Sequence, residues 1–125
     1  MPETSPFVTK RIYLPAEATD GARVLVDRLW PRGISKERAA LAAWLKDAAP
    51  STALRQWFGH EPERFEDFSE KYRLELAADP EKQPAIRELL NMAQAGRVTL
   101  LYAAKSPTVN HAVVLKGYLD GLLAR

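Results

Sequence analysis

A carboxylate and a guanidinium at the end of an apolar run are the first candidates for chemistry. Residues 24–33 read VLVDRLWPRG, which predicts one extended strand as far as Trp30, with Asp27 and Arg28 on opposite faces. Both charges are costly to bury unless they are paired or used. Asp27 is therefore a candidate base or ligand anchor, and the alternative is a structural ion pair with a cation such as Arg32 or Lys105.

Basic side chains gather at the predicted ends of two strands. If the apolar strands run parallel, their carboxyl ends bring Arg28, Arg32 and Lys105 together. Ser106 follows at a predicted helix start, where backbone N–H groups and arginine forks would favour a phosphate or a carboxylate. A solvated basic rim is the alternative interpretation, since the chain has neither the GxGxxG pattern nor a phosphate-loop motif.

Asn110 and His111 form the next pair that could do chemistry. His111 precedes Leu115 by four residues, which places it on the apolar, inward face of the last predicted helix. An imidazole there could act as a base or polarise a ligand. It could equally make a structural hydrogen bond inside the fold. Asn110 is predicted to anchor the preceding loop or to orient a ligand.

The aromatic segment Trp57-Phe58-Gly59-His60 could cover a ligand, with His60 at the mouth of the site. Aromatic residues at helical spacing are more often core, so packing beneath the sheet is the favoured alternative. The chain has no cysteine and only two histidines, which excludes thiolate sites and a three-histidine metal centre. No metal site is predicted, and the sequence leaves any cofactor unknown.

The elements that must position these residues follow from periodicity and capping. Residues 7–13 predict an edge strand that carries two cations, and residues 98–104 predict a second buried strand. Segment 41–49 fits either a helix or a short strand that begins at Trp44. Helices are predicted over 36–41, over 51–58 between a Ser51 cap and Gly59, from Pro62, from Pro80 to Gly96, and after a cap at Ser106-Pro107.

Strands combined with helices in this order predict an α/β fold. The expected architecture is a small three-layer Rossmann-like sandwich of about four mostly parallel strands flanked by helices. One domain over 1–125 is expected, with residues 1–6 as a loose tail. A net charge of +2 argues against a strongly basic nucleic-acid binder. The N-terminus lacks a signal pattern and the apolar runs are too short for a membrane span, so a cytoplasmic location is expected.

Long stretches of the chain also resemble a known family. The strings KRIY, DGARVLVDRLWPRGISKERA, WLKDAAPSTALRQWFGHEPERF, RVTLLYAAK and NHAVVL resemble the YeaO-like proteins, which belong to the group called domain of unknown function 488. The resemblance covers Lys10 to Leu115. It implies a small standalone protein and supplies no activity. Some members of the wider group contain cysteines, and because this chain has none, thiol chemistry does not carry over.

The first functional hypothesis is a site for an anionic, phosphate- or nucleotide-like small molecule at the carboxyl edge of the central strands. Asp27 and His111 are the candidate catalytic, proton-handling residues. Whether a reaction occurs there is left open. The residues predicted to bind the ligand are Arg28, Arg32, Lys105, Asn110 and Ser106.

Two further hypotheses involve larger partners. The first is a non-catalytic binding module for nucleic acid or a protein, which would present Tyr13, Trp30 and Trp57 on an exposed surface. Bulk charge makes nucleic acid the weaker of these partners. The second is a homodimer in which the edge strand Phe7–Tyr13 pairs across a two-fold axis.

Overall fold

A computed structural model describes residues 5–124 of the chain. Within this range the chain forms four strands and five α-helices, and some of the connections contain short 3-10 turns. The strands are β1 (Phe7–Arg11), β2 (Ala22–Leu25), β3 (Ala43–Trp44) and β4 (Val98–Tyr102). The helices are α1 (Lys36–Ala39), α2 (Thr52–Phe58), α3 (Phe65–Ala78), α4 (Gln83–Ala95) and α5 (His111–Leu123).

The four strands form one parallel sheet in the order β1-β4-β2-β3. All five residues of β4 are buried, as expected for an apolar strand between two neighbours. β1 lies at the edge, where Lys10 and Arg11 can reach past the sheet. The predicted α/β class, the parallel sheet and the edge strand are therefore confirmed.

Helices cover the two faces of the sheet unequally. One face, which carries Phe7 and Leu100, packs against α2 to α5 and forms the main core. The other face, which carries Leu25 and Leu101, is covered by α1 and the loop before it in a smaller cluster. Each large aliphatic side chain buried in this way contributes about 1.5–3 kcal/mol. Among the described residues, no helix is long and apolar enough to cross a membrane.

The organising strand is shorter than predicted. β2 ends at Leu25, so the prediction of a strand through Trp30 was wrong. Val26 still donates its N–H to Leu101, but one step further the Asp27 carboxylate accepts the N–H of Ala103 at 3.0 Å. A side chain has replaced the backbone partner, which releases the following residues from the sheet.

Helix boundaries follow the local caps with one exception. Ser51 accepts the N–H of Leu54 and begins α2, and Gly59 ends that helix with φ of 54°, both as predicted. The prediction that Ser106 caps the last helix was wrong, because Asn110 caps α5. Ser106 instead accepts the N–H groups of two following residues and closes the turn before that cap.

The two undecided segments have definite structures. Within 41–49, residues 43–44 form the short strand β3 and residues 46–48 a 3-10 turn. Of the predicted loose tail, residues 1–4 lie outside the described residues. Ser5 hydrogen-bonds to Asp120, and the Pro6 carbonyl accepts the N–H of Val98 at 2.8 Å.

Candidate functional site

A cavity of about 1070 Å³ lies at the carboxyl ends of β2 and β4. Three chain segments supply most of its lining: residues 27–32 after β2, parts of 49–62 around α2, and parts of 103–111 between β4 and α5. The structure brings all seven predicted site residues to this one cavity: Asp27, Arg28, Arg32, Lys105, Ser106, Asn110 and His111. Parallel strand ends converge here, which is where open α/β sheets usually bind ligands.

Asp27 and His111 are in direct contact. The Nε2 atom of His111 lies 3.0 Å from Oδ1 of Asp27 and 3.0 Å from the carbonyl oxygen of Val26. The other carboxylate oxygen of Asp27 accepts the N–H of Ala103 at 3.0 Å. Asp27 therefore pairs with a histidine, and the alternative of an ion pair with Arg32 or Lys105 is wrong.

Two tryptophans hold the loop that follows β2, at Asp27 and at Ile34. The indole N–H of Trp44 donates to the Asp27 carbonyl at 2.7 Å, and that of Trp30 donates to the Ile34 carbonyl at 2.7 Å. The two rings pack edge to face, with centroids 5.3 Å apart. Trp30 therefore stabilises the loop after β2 that lines the site.

Tyr72 packs against the His111 ring. The Tyr72 ring lies edge-on to the His111 ring, with the ring centroids 6.3 Å apart. The Tyr72 hydroxyl donates a hydrogen bond to the Ala48 carbonyl. Burial, together with the nearby carboxylates of Glu75 and Asp27, raises the pKa of Tyr72 well above its ordinary value. Tyr72 is therefore a neutral hydrogen-bond donor across the physiological range.

Four cations border the cavity: Arg28, Arg32, Arg55 and Lys105. Within residues 5–124, none of the four forms an ion pair. Arg32 and Lys105 are exposed, whereas the Nε atom of Arg28 is sealed from solvent with no hydrogen-bond partner in the same part of the chain. Asp27 is the sole carboxylate among the described lining residues.

Sequence reasoning missed the wall formed by α2. Thr52, Arg55 and Gln56 line the cavity, and their spacing of three and four residues, which puts them on one helix face, was the signal available. His60, which the sequence hypothesis placed at the mouth of the site, does line the cavity, and it has a left-handed backbone with φ of 60°. Phe58 lies in the lining as well, stacked on Phe68 at 4.2 Å.

Asn110 and Ser106 shape the loop between β4 and α5. The Asn110 carbonyl oxygen accepts the N–H of Val113 at 3.0 Å, and its amide donates to the Ser106 carbonyl at 2.8 Å. These bonds match the anchoring role predicted for Asn110. Direct contact of either side chain with a ligand stays a prediction. In the described part of the chain, no three His, Asp or Glu side chains cluster as a metal site would require.

Comparison with known proteins gives relatives that cover nearly all of the chain. "Uncharacterized protein YeaO" of Escherichia coli (strain K12) is 47% identical over 113 residues, which are 90% of this chain and 96% of that protein. "Uncharacterized protein Rv3073c" of Mycobacterium tuberculosis (strain ATCC 25618 / H37Rv) is 40% identical over 111 residues, 89% of this chain and 91% of that protein. No solved structure matches the chain. The profile described as the inactive DUF488-N3 subclade matches residues 6–125, and the chain therefore belongs to the YeaO-like family within domain of unknown function 488.

Proposed function

We propose that this protein binds an anionic small molecule, phosphate- or nucleotide-like, in the cavity at the carboxyl edge of the sheet. The observation that carries the proposal is the charge of the lining, where four cations face one carboxylate. That carboxylate, on Asp27, already accepts the N–H of Ala103 and lies 3.0 Å from the His111 ring, which reduces its repulsion of an incoming anion. Guanidinium groups are well suited to phosphate because they bind its oxygens in pairs.

The size of the cavity supports a ligand larger than an inorganic anion. Pockets for drug-sized molecules span roughly 300–1,000 Å³, and this one has about 1070 Å³. About half of its lining is apolar, including Pro31, Pro50 and Phe58. A molecule with an anionic group on a larger body therefore fits the lining better than free phosphate does.

Binding without turnover is the form of the proposal that the family description supports. The matching profile is described as an inactive subclade. The chain has no cysteine, and the lining offers no serine paired with a base as a nucleophile. Proton handling by Asp27 and His111 stays a prediction.

The test is calorimetric titration of the protein with inorganic phosphate and with adenosine monophosphate. Replacing one cation of the lining, in Arg55→Gln or Lys105→Gln, is expected to weaken binding about tenfold, as loss of a charge-assisted hydrogen bond does. The matched control is Arg87→Gln, an exposed position on α4 outside the cavity. Equal effects of all three variants, or no binding by the unaltered protein, would contradict the proposal.

A second candidate is single-stranded nucleic acid bound around Trp57. Trp57 is 39% exposed, and Arg64 and Lys71 lie 5.6 and 5.5 Å from the centre of its ring, an arrangement on which a base could stack. Trp30, the other tryptophan of the binding-module hypothesis, instead packs on Trp44 and donates its indole N–H to the Ile34 carbonyl. Electrophoretic shift assays with an oligonucleotide at rising salt test this candidate, with Trp57→Ala as the variant that abolishes any shift.

A further inference from the structure

We infer that His111 recognises a hydroxyl group on the bound anion, so that the cavity selects phosphate esters of polyhydroxylated molecules over simple alkyl phosphates. Sugar phosphates and nucleotides share this chemistry. The inference rests on the proposed function, since it concerns which anion the same cavity takes. It is argued from the orientation of one imidazole ring.

The first step is the position of the ring proton. Nε2 of His111 lies 3.0 Å from two oxygens, the Val26 carbonyl and Oδ1 of Asp27. Both oxygens are acceptors, so the hydrogen-bond network assigns a proton to Nε2. In the neutral ring, Nδ1 is then the lone-pair nitrogen.

The second step is that this orientation is enforced. The Asp27 carboxylate cannot turn away without losing the Ala103 N–H, and its backbone carbonyl is held by Trp44. The Val26 carbonyl is held in place because the N–H of the same residue donates to Leu101 of β4. His111 itself begins α5, directly after the Asn110 cap. A ring held on this side by the Val26 carbonyl, with the Asp27 carboxylate 3.0 Å from the same nitrogen, is pre-organised rather than free to flip.

The third step is the free nitrogen. Nδ1 of His111 makes no hydrogen bond with any residue of the described range 5–124. This nitrogen is not buried without a partner, so it is accessible from the cavity that His111 lines. A lone pair cannot accept from the dianion of a phosphate monoester, which carries no proton. It can accept from a hydroxyl while Arg28 or Lys105 holds the phosphate.

The experiment compares two matched ligands at about pH 8, where phosphate esters are dianions. Ribose 5-phosphate and n-pentyl phosphate have the same number of carbons and the same charged group, but only the first carries hydroxyls. In His111→Gln the amide can still donate to Val26, while the acceptor at the Nδ1 position is lost. We expect this variant to bind ribose 5-phosphate about five- to tenfold more weakly, with a much smaller change for n-pentyl phosphate.

Adenosine monophosphate is the second hydroxylated ligand. If it binds more tightly than ribose 5-phosphate, the cavity prefers a nucleotide, and the opposite order indicates a sugar phosphate. Lys116→Gln is the control on the same helix, because Lys116 pairs with Asp120 outside the cavity. It is expected to keep the affinity of the unaltered protein for every ligand.

The outcomes separate this inference from the proposal beneath it. An equal loss of affinity for both matched ligands would show that His111 acts through charge or folding, and the inference would fall while anion binding stood. Absence of phosphate binding by the unaltered protein would remove both. Nitrogen chemical shifts of the His111 ring give an independent check, since they are expected to show a protonated Nε2, and a protonated Nδ1 alone would overturn the inference.

Discussion

Asp20 shows how one buried carboxylate organises its neighbours on the far side of the sheet from the main core. It accepts hydrogen bonds from Lys10 at 3.0 Å, from the Arg23 guanidinium at 2.5 Å and from the N–H of Glu17 at 3.0 Å. Burial alone would raise the pKa of Asp20, but these bonds outweigh burial and hold the pKa below its usual value. Hydrogen bonds to the carboxylates of Glu17 and Asp20 raise the pKa of Lys10 against the effect of its own burial.

Replacing this carboxylate should destabilise the fold in a pH-dependent way. Asp20→Asn leaves the buried Arg23 cation without its partner, and we expect the free energy of unfolding at neutral pH to fall by about 3 kcal/mol. Because the folded pKa of Asp20 is depressed, its contribution is present above the unfolded value and is lost as the pH falls through the folded value. The gap between variant and unaltered protein should therefore close below about pH 4.

Urea denaturation at several pH values measures this gap. Glu17→Gln is the matched control, because Glu17 contacts the same lysine from a side chain that is 65% exposed. Its effect should be much smaller. A gap for Asp20→Asn that stays constant down to pH 2 would contradict the role assigned to its charge.

At the scale of elements, two glycines with positive φ differ in their surroundings. Gly21, just before β2, has φ of 65°, and a Cβ atom there would lie 2.3 Å from the carbonyl oxygen of Arg97. That carbonyl accepts the N–H of Ala22 at 2.9 Å. Gly59, which ends α2, has φ of 54° and a nearest atom at 3.7 Å. Gly21 is thus required by close backbone approach as well as by conformation.

We therefore expect Gly21→Ala to cost clearly more stability than Gly59→Ala. At Gly59 the cost is the left-handed conformation of a non-glycine residue, about 1 kcal/mol. At Gly21 the clash with backbone adds to that strain, for a total of about 3 kcal/mol or more. Thermal unfolding of the two variants measures the difference. Equal midpoints would contradict the prediction, because they would show that the backbone at the start of β2 shifts to fit the Cβ atom without loss of stability.

Local chemistry explains which element boundaries could be predicted. Ser51 and Gly59 were identified correctly because a cap acts within three or four residues of itself. The start of α5 was misassigned because Ser106 and Asn110 are both good caps, and only the packing of the intervening turn selects one. Gly21 carries no local signal of its role, since the carbonyl it approaches belongs to Arg97.

At the scale of the whole molecule, distant side chains hold the segment before α2. The carbonyls of Asp47 and Ala49 accept from Lys82, and that of Ala48 accepts from Tyr72. Lys82 is only 2% exposed. The next residues, Ala49 and Pro50, line the cavity, so these bonds connect α3 and the turn before α4 to the candidate site.

Lys82→Met should remove this connection with little change in side-chain volume. Two carbonyls lose their donor, and we expect the free energy of unfolding to fall by about 2–4 kcal/mol. Chemical denaturation measures the loss. Lys71→Met, at an exposed position on α3, is the control and should change stability little. A variant at Lys82 as stable as the control would mean that water replaces the lysine at no cost.

The sequence alone determined the α/β class, the buried strands, most helix starts and the gathering of polar residues at one sheet edge. It could do so because apolar periodicity, caps and parallel strand ends are properties of short segments. Only the tertiary structure decided that Asp27 pairs with His111, that β2 stops at Leu25, and that Arg55 belongs to the cavity. A charged side chain has several partners compatible with the sequence, and packing across the molecule leaves one of them within hydrogen-bond reach.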